Sequence, residues 1–227
     1  MKELQKQIIQ VLAERFAPYG FVKRSGNYFT RDISKNVWQR MKFPSTYFHP
    51  GVKAIYPEIA VGYKDEFNLE RKYFDLHWPS PHYTYNTFYT MLLNIVRTDD
   101  LCWRFRKEED IIPQIDDMTQ AIVKKAIPYM DYISDRKNLI AEMESGFIYS
   151  KMESWCYRGL PIAYYLEGRK DLALWRLNYY IQKFEKELSG HMKEDENSRF
   201  TRGARNKLQN YLEFAEKLKK VMETESR

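Results

Sequence analysis

Cysteine is nearly absent from this chain: Cys102 and Cys156 are the only two, and they are solitary and far apart. They make neither a disulfide framework nor a paired metal-ligand motif, so a reducing, cytoplasmic compartment is the expectation. Glycine and proline are also sparse, nine of each in 227 residues. That excludes a collagen-like or low-complexity chain and points to helices with few long loops. No apolar run approaches the roughly 20 residues that a membrane-spanning helix needs. The opening stretch MKELQKQIIQVLAERF is too interrupted by charge to act as a signal peptide, and no membrane contact is expected. HExxH, CxxC, P-loop, dinucleotide-binding and GxSxG motifs are all missing. No cofactor is called for.

Aromatic residues and charge are abundant. Aromatics make up 16% of the chain, with 18 tyrosines, which suit half-buried faces and interfaces. The composition, 44% hydrophobic and 30% charged, is that of a folded globular protein with a real core. The net charge of +6 is unevenly spread: residues 1–64 hold 11 Lys+Arg against 4 Asp+Glu, and the remainder is close to neutral. A basic N-terminal third attracts an acidic protein surface or nucleic acid. The competing account is a solvated sheet face that carries Lys and Arg for edge protection.

Read in order, residues 2–17 form an amphipathic helix with Leu4, Ile8, Val11, Leu12 and Phe16 on one stripe, ended by Pro18 and Gly20. Gly20–Arg31 then makes a hairpin of two short runs, Phe21–Lys23 and Tyr28–Arg31, about a Ser-Gly-Asn turn. Val37–Phe43 alternates Val37, Gln39, Met41 and Phe43 against Trp38, Arg40 and Lys42, which is the period of a strand. Residues 44–53 read as a loop because of Pro44, Pro50 and Gly51. Ala54–Lys64 puts Ile55, Ile59, Val61 and Tyr63 on one face, and Pro57, which lacks a ladder N–H, implies that this strand begins near Glu58 or lies at an edge.

Residues 65–83 are ambiguous, with Lys72–Trp78 either a last strand or a short helix. Thr84–Val96 reads as a helix through Phe88, Leu92 and Ile95. From Ile111 the pattern is helical, with Pro128 expected to bend or end the first helix. Leu139–Tyr157 reads as another helix and Gly159-Leu-Pro161 as a break. Asp171–Leu188 is a helix capped by Asp171, Ser189–Gly203 a mobile loop and Ala204–Glu223 a closing helix. Trp155–Tyr180 is a helical hairpin turning at Gly168-Arg169, with no second copy to make a repeat array. The predicted fold class is α+β: an N-terminal helix on a small antiparallel sheet of three to five strands, then a mostly helical part. The predicted division is a sheet module at 1–96 and a helical module at 97–227, packed as one compact unit.

The pattern Gly20-Phe21-x-Lys23-x-x-Gly26-x-x-Phe29-x-Arg31 after an amphipathic helix resembles that of an uncharacterised family of bacterial α+β proteins. The resemblance covers residues 1 to about 95. It implies a helix followed by a twisted antiparallel sheet, and by association a toxin-neutralising or phage-conflict role, with no established activity or catalytic residues. The same pattern has an architectural account: Gly20 and Gly26 supply turns, Phe21 and Phe29 enter the core, and Lys23 and Arg31 stay at its rim.

Three chemistries compete. In the first, a non-enzymatic protein binds an acidic partner through Lys23, Arg24, Arg31, Trp38, Arg40 and Lys42. In the second, Lys23, Arg24, Arg40 and Lys42 meet phosphates while Tyr28, Trp38, Tyr47 and Phe48 stack on bases. In the third, Glu58 joins Glu70 and Lys72 in a divalent-metal nuclease, which needs 70–72 to be a strand so that Glu70 and Lys72 share a face. His77 and His82, around prolines, would need two more ligands to hold zinc. The acidic groups Asp99-Asp100, Glu108-Glu109-Asp110 and Asp116-Asp117 read as helix-start carboxylates. Cys102 and Cys156 read as small core residues.

Overall fold

A computed structural model describes residues 2–74, 82–96, 102–145, 153–196 and 198–224. It confirms the α+β class. The chain divides into two compact units, Met1–Phe67 with Pro79–Glu142, and Asn68–Trp78 with Met143–Arg227. This differs from a cut at residue 96, because the helices of 111–133 pack with the sheet in the first unit.

The first unit opens with α1 (Lys2–Phe16). Two sheets follow. β1 (Val22–Lys23), β2 (Tyr28–Asp32), β3 (Val37–Lys42), β6 (Glu58–Tyr63) and β7 (Phe88–Met91) form a five-stranded antiparallel sheet in the order β1-β2-β3-β6-β7. β4 (Ser45–His49), β5 (Val52–Ile55) and β8 (Trp103–Phe105) form a second sheet in the order β4-β5-β8. Residues 44–53 are therefore a hairpin and not a loop. Pro50-Gly51 is its turn, with Gly51 at φ 84°, and Thr46 and Tyr47 are good strand formers.

The expected helix at 84–96 is also corrected. Phe88 and Thr90 are buried while Met91 is exposed, the period of a strand, and only Leu92–Val96 (α3) is helical. Phe88 and Leu92 happen to lie four residues apart, which imitated a helical stripe.

One face of the large sheet carries Phe29, Met41, Ile59 and, one row along, Val61 and Phe88. It is covered by α1 and by a continuous helical run of α4 (Ile111–Ala121), a π-helical turn at Ile122–Ala126, and α5 (Ile127–Ile133). Phe16 of α1 is fully buried and meets Phe21, Phe29 and Phe43, with ring centroids 5.7 to 6.4 Å apart. Pro128 neither ends this run nor breaks it. Its missing N–H and its ring clash are absorbed by the π turn just before it, where the Ile127 N–H reaches back to the Ile122 carbonyl.

α2 (Lys64–Tyr73) starts in the first unit and ends in the second, as does α6 (Arg136–Ser145). The second unit otherwise consists of α7 (Glu153–Leu166), α8 (Lys170–Glu194) and α9 (Arg199–Thr224), with α8 packed against both α7 and α9. Pro161 lies inside α7, so Gly159-Leu-Pro161 is not a break; Leu160, Ile162 and Ala163 are fully buried and hold the turn in place. Helix α8 begins at Lys170 without a side-chain cap, so Asp171 sits in its first turn and serves the helix dipole. The expected loop 189–203 shrinks to a short connection, because α8 runs to Glu194 and the Ser198 hydroxyl accepts the Thr201 N–H at the start of α9.

Cys156 is buried and Cys102 half-buried, and neither is in a disulfide. Burial pushes the Cys156 thiol up to about 12. A thiol reagent at pH 8 is expected to modify Cys102 in the native protein and Cys156 only in denaturant. Two equally fast thiols would contradict the packing of α7.

Candidate functional site

Of the five cations singled out from the sequence, Arg24, Arg40 and Lys42 come together on the second face of the large sheet. Pairing registers set them in rows. Val22, Thr30, Arg40, Ala60 and Tyr89 stand side by side across five strands. Tyr28, Lys42, Glu58 and Met91 form the next row, and Asp32, Trp38 and Gly62 lie on the other side. The strand alternation in 37–43 placed Trp38, Arg40 and Lys42 together, and they are together.

The short helical turn His82–Thr84 and the residue after it close over part of this face. His82 meets Trp38 edge-on at 5.3 Å and Tyr85 lies 6.5 Å from it, so Trp38 is 3% exposed and is no stacking platform. Arg40 is 4% exposed. Its Nη1 donates to the Thr84 carbonyl at 2.9 Å, and its guanidinium carbon stands 5.2 Å from the centre of the Tyr28 ring. Its Nε is buried with no hydrogen-bond partner. Burial pulls the guanidinium below the ordinary arginine value, against the opposing influence of Tyr28, Glu58 and Tyr89.

The rim is charged and aromatic. Lys42 Nζ is 3.5 Å from Glu58 Oε2 and 5.6 Å from the Tyr28 ring centre. The Arg24 Nε donates to the Thr30 hydroxyl at 2.9 Å, and its guanidinium lies 5.9 Å over Tyr83. Tyr83 is 6.3 Å from Tyr28, and its hydroxyl is 3.0 Å from the Ser25 hydroxyl.

Other expected site residues go elsewhere. Lys23 is exposed on the edge strand β1 and belongs to the opposite row set. Arg31 faces the core side of the sheet. Its Nη2 donates to Asp131 at 2.5 Å and to Gln39 at 2.6 Å, and its guanidinium covers Phe21 at 5.0 Å. Gln39, fully buried, donates in turn to Asp131 and Ser134. Arg31 is thus a structural cation.

The nuclease arrangement is corrected. Residues 70–72 are helical, so Glu70 and Lys72 stand about 200° apart around α2 and do not share a face. Glu58 belongs to the first unit and residues 70 and 72 to the second. His77 lies outside the described residues, and His82 packs on Trp38. No group of three or more His, Cys, Asp or Glu is gathered for a metal among the described residues. Tyr47 is exposed on the second sheet, with Lys53 5.7 Å from its ring. The Phe48 side chain and Asp99-Asp100 lie outside what is described.

The acidic groups are only partly helix-start carboxylates. Asp110 accepts the N–H groups of Arg106 and Lys107 ahead of α4, and these bonds hold its carboxyl below the usual range. Asp116 and Asp117 sit within α4 and bind Arg15 and the Trp103 indole. Such pairings offset the basic character of residues 1–64: the first unit as a whole holds 19 Lys+Arg and 16 Asp+Glu.

One surface in the second unit was missed from the sequence. On α8, Trp175 is 55% exposed and Tyr179 43%, stacked at 5.9 Å, with the Arg176 guanidinium 4.9 Å from the indole. The buried stripe of α8 is Ala173, Leu177, Tyr180 and Phe184, and Leu174 is exposed. The signal was present: Trp175 and Tyr179 fall four apart and off that stripe.

No family model, no curated protein and no solved structure matches this chain. No helix of the described residues is long and apolar enough to cross a membrane.

Proposed function

We propose that the protein is a non-enzymatic binding protein that recognises another polypeptide with an acidic surface, through the second face of the large sheet. One observation supports this above others: Arg24, Arg40 and Lys42 stand on one sheet face among Tyr28, Tyr83 and Tyr89, the arginine-and-tyrosine chemistry that anchors protein interfaces. A nucleic-acid platform fits less well, because Trp38 is buried and offers no face for a base to stack on. The two unbridged cysteines fit a cytoplasmic setting.

The test is capture from the native host with three baits: the wild type, the Arg24→Gln/Lys42→Gln variant, and Lys186→Gln on exposed α8 as a control. A polypeptide with an acidic surface is expected to be held by the wild type and the control, and at least tenfold less by the double variant. Equal retention by all three baits, or binding only of oligonucleotides with a steep salt dependence, would defeat the reading.

A further inference from the structure

We infer that Arg40 is the base of an oxyanion-binding site, one that takes a single carboxylate or phosphate group between Tyr28, Thr30 and Lys42. The inference rests on the polypeptide-binding reading only for the source of the anion.

A guanidinium taken out of water is costly to bury unless its donors and its charge are met. At Arg40 they are met in part. Nη1 is used by the Thr84 carbonyl, a neutral acceptor, while Nε is buried and unpaired. Glu58 is the carboxylate nearest in the sheet pairing, and it is turned to Lys42. The edge made by Nε–H and Nη2–H is the one that grips an oxyanion side-on with two parallel hydrogen bonds. That edge makes no hydrogen bond among the described residues.

The neighbours fit the same ligand. Thr30, adjacent to Arg40 across the sheet, brings a hydroxyl already held by Arg24, and Lys42 adds a second cation at the rim. Lys53 is the contrasting case. It too is a buried cation, but it stands over Tyr47 on the small sheet with no second cation beside it in the pairing register. Tyr28 is half-buried and lies over the guanidinium, so it is the side chain that turns aside to admit a ligand.

The experiment follows the Nε–H resonance of Arg40 in the nitrogen-labelled full chain, assigned by its loss in Arg40→Lys. Inorganic phosphate and a glutamate-containing peptide are titrated separately at constant ionic strength, with chloride as reference. A saturable shift with either, absent with chloride, is the expected result. A tenfold preference for the peptide or for phosphate identifies the source. No saturable shift with either ligand overturns the proposal, whether the Nε–H is held by internal water or by nothing. Should Arg40→Lys fail to fold, Lys42→Gln serves instead: it leaves the Arg40 resonance in place and is expected to weaken the saturable shift at least threefold, and an unchanged titration would count against the site. Loss of the site with partner capture intact would leave the polypeptide reading standing. An oxyanion site with no captured partner would remove that reading alone.

Discussion

Replacing Gly62 by alanine is expected to destabilise the protein by about 3 kcal/mol, the upper end of what overpacking costs. Intrinsic propensity argues the other way, since glycine within a strand is worse than alanine by roughly 0.5–1 kcal/mol. Packing decides the sign. A methyl group on Gly62 would stand 2.3 Å from Cε2 and Cζ2 of Trp38, far inside contact distance. Trp38 cannot retreat easily, because it is pinned from the other side by His82 and Tyr85. The two residues are directly paired across β3 and β6, so the glycine exists to seat the indole. Trp38→Leu should cost about 2–3 kcal/mol by cavity formation. The combined variant should cost at least 1 kcal/mol less than the sum of the two, because shrinking the indole removes the clash. Denaturant unfolding of the four proteins checks this. A Gly62→Ala protein as stable as the wild type would show that the indole does not lie on β6.

The strands legible in the sequence were those whose residues alternate, even where both faces proved to be buried, as in β3 and β6. β2, β3 and β6 alternate, and β6 starts directly after Pro57, as a residue without a ladder N–H requires. Where proline acted as punctuation within an element, the reading failed. Pro50 turns a hairpin with Gly51 at positive φ, Pro128 is absorbed by a π turn, and Pro161 rides inside α7 among buried neighbours.

The candidate site divides in the same way. That Arg40 and Lys42 share a face follows from strand alternation alone. That Arg40 is buried does not, because its cover is the turn at His82–Thr84, more than 40 residues away. The place of Arg31 is hidden from the sequence for the same reason. Its partner Asp131 lies 100 residues on, and the pairing of Arg15 with Asp116 repeats the pattern. A charge imbalance read along the chain therefore says little about charge on the folded surface, since the compensating carboxylates arrive with helices that pack later in the sequence.

In the second unit, the decisive residue is Tyr211 of α9. It is 2% exposed and lies edge-on to Tyr157, Tyr180 and Phe184, at 5.7, 6.1 and 5.1 Å. Truncation to alanine removes the ring that joins α7, α8 and α9, and should cost about 3–5 kcal/mol. Truncation to phenylalanine should go the other way. The Tyr211 hydroxyl is buried with no hydrogen-bond partner, so deleting it relieves an unpaid desolvation cost, and Tyr211→Phe is expected to be neutral or to gain about 1 kcal/mol. The two variants share a position and differ in sign, which separates ring packing from the polar atom. Alkaline pH gives an independent check. Burial raises the Tyr211 phenol above its ordinary value, so the native chain keeps its proton where the unfolded chain loses it. Native stability should fall as pH rises through about 10, the range of an unperturbed tyrosine, and Tyr211→Phe should lose less than the wild type there. Parallel loss in both proteins would mean that this phenol reaches water, and with it the case for a closed aromatic core between the three helices would go.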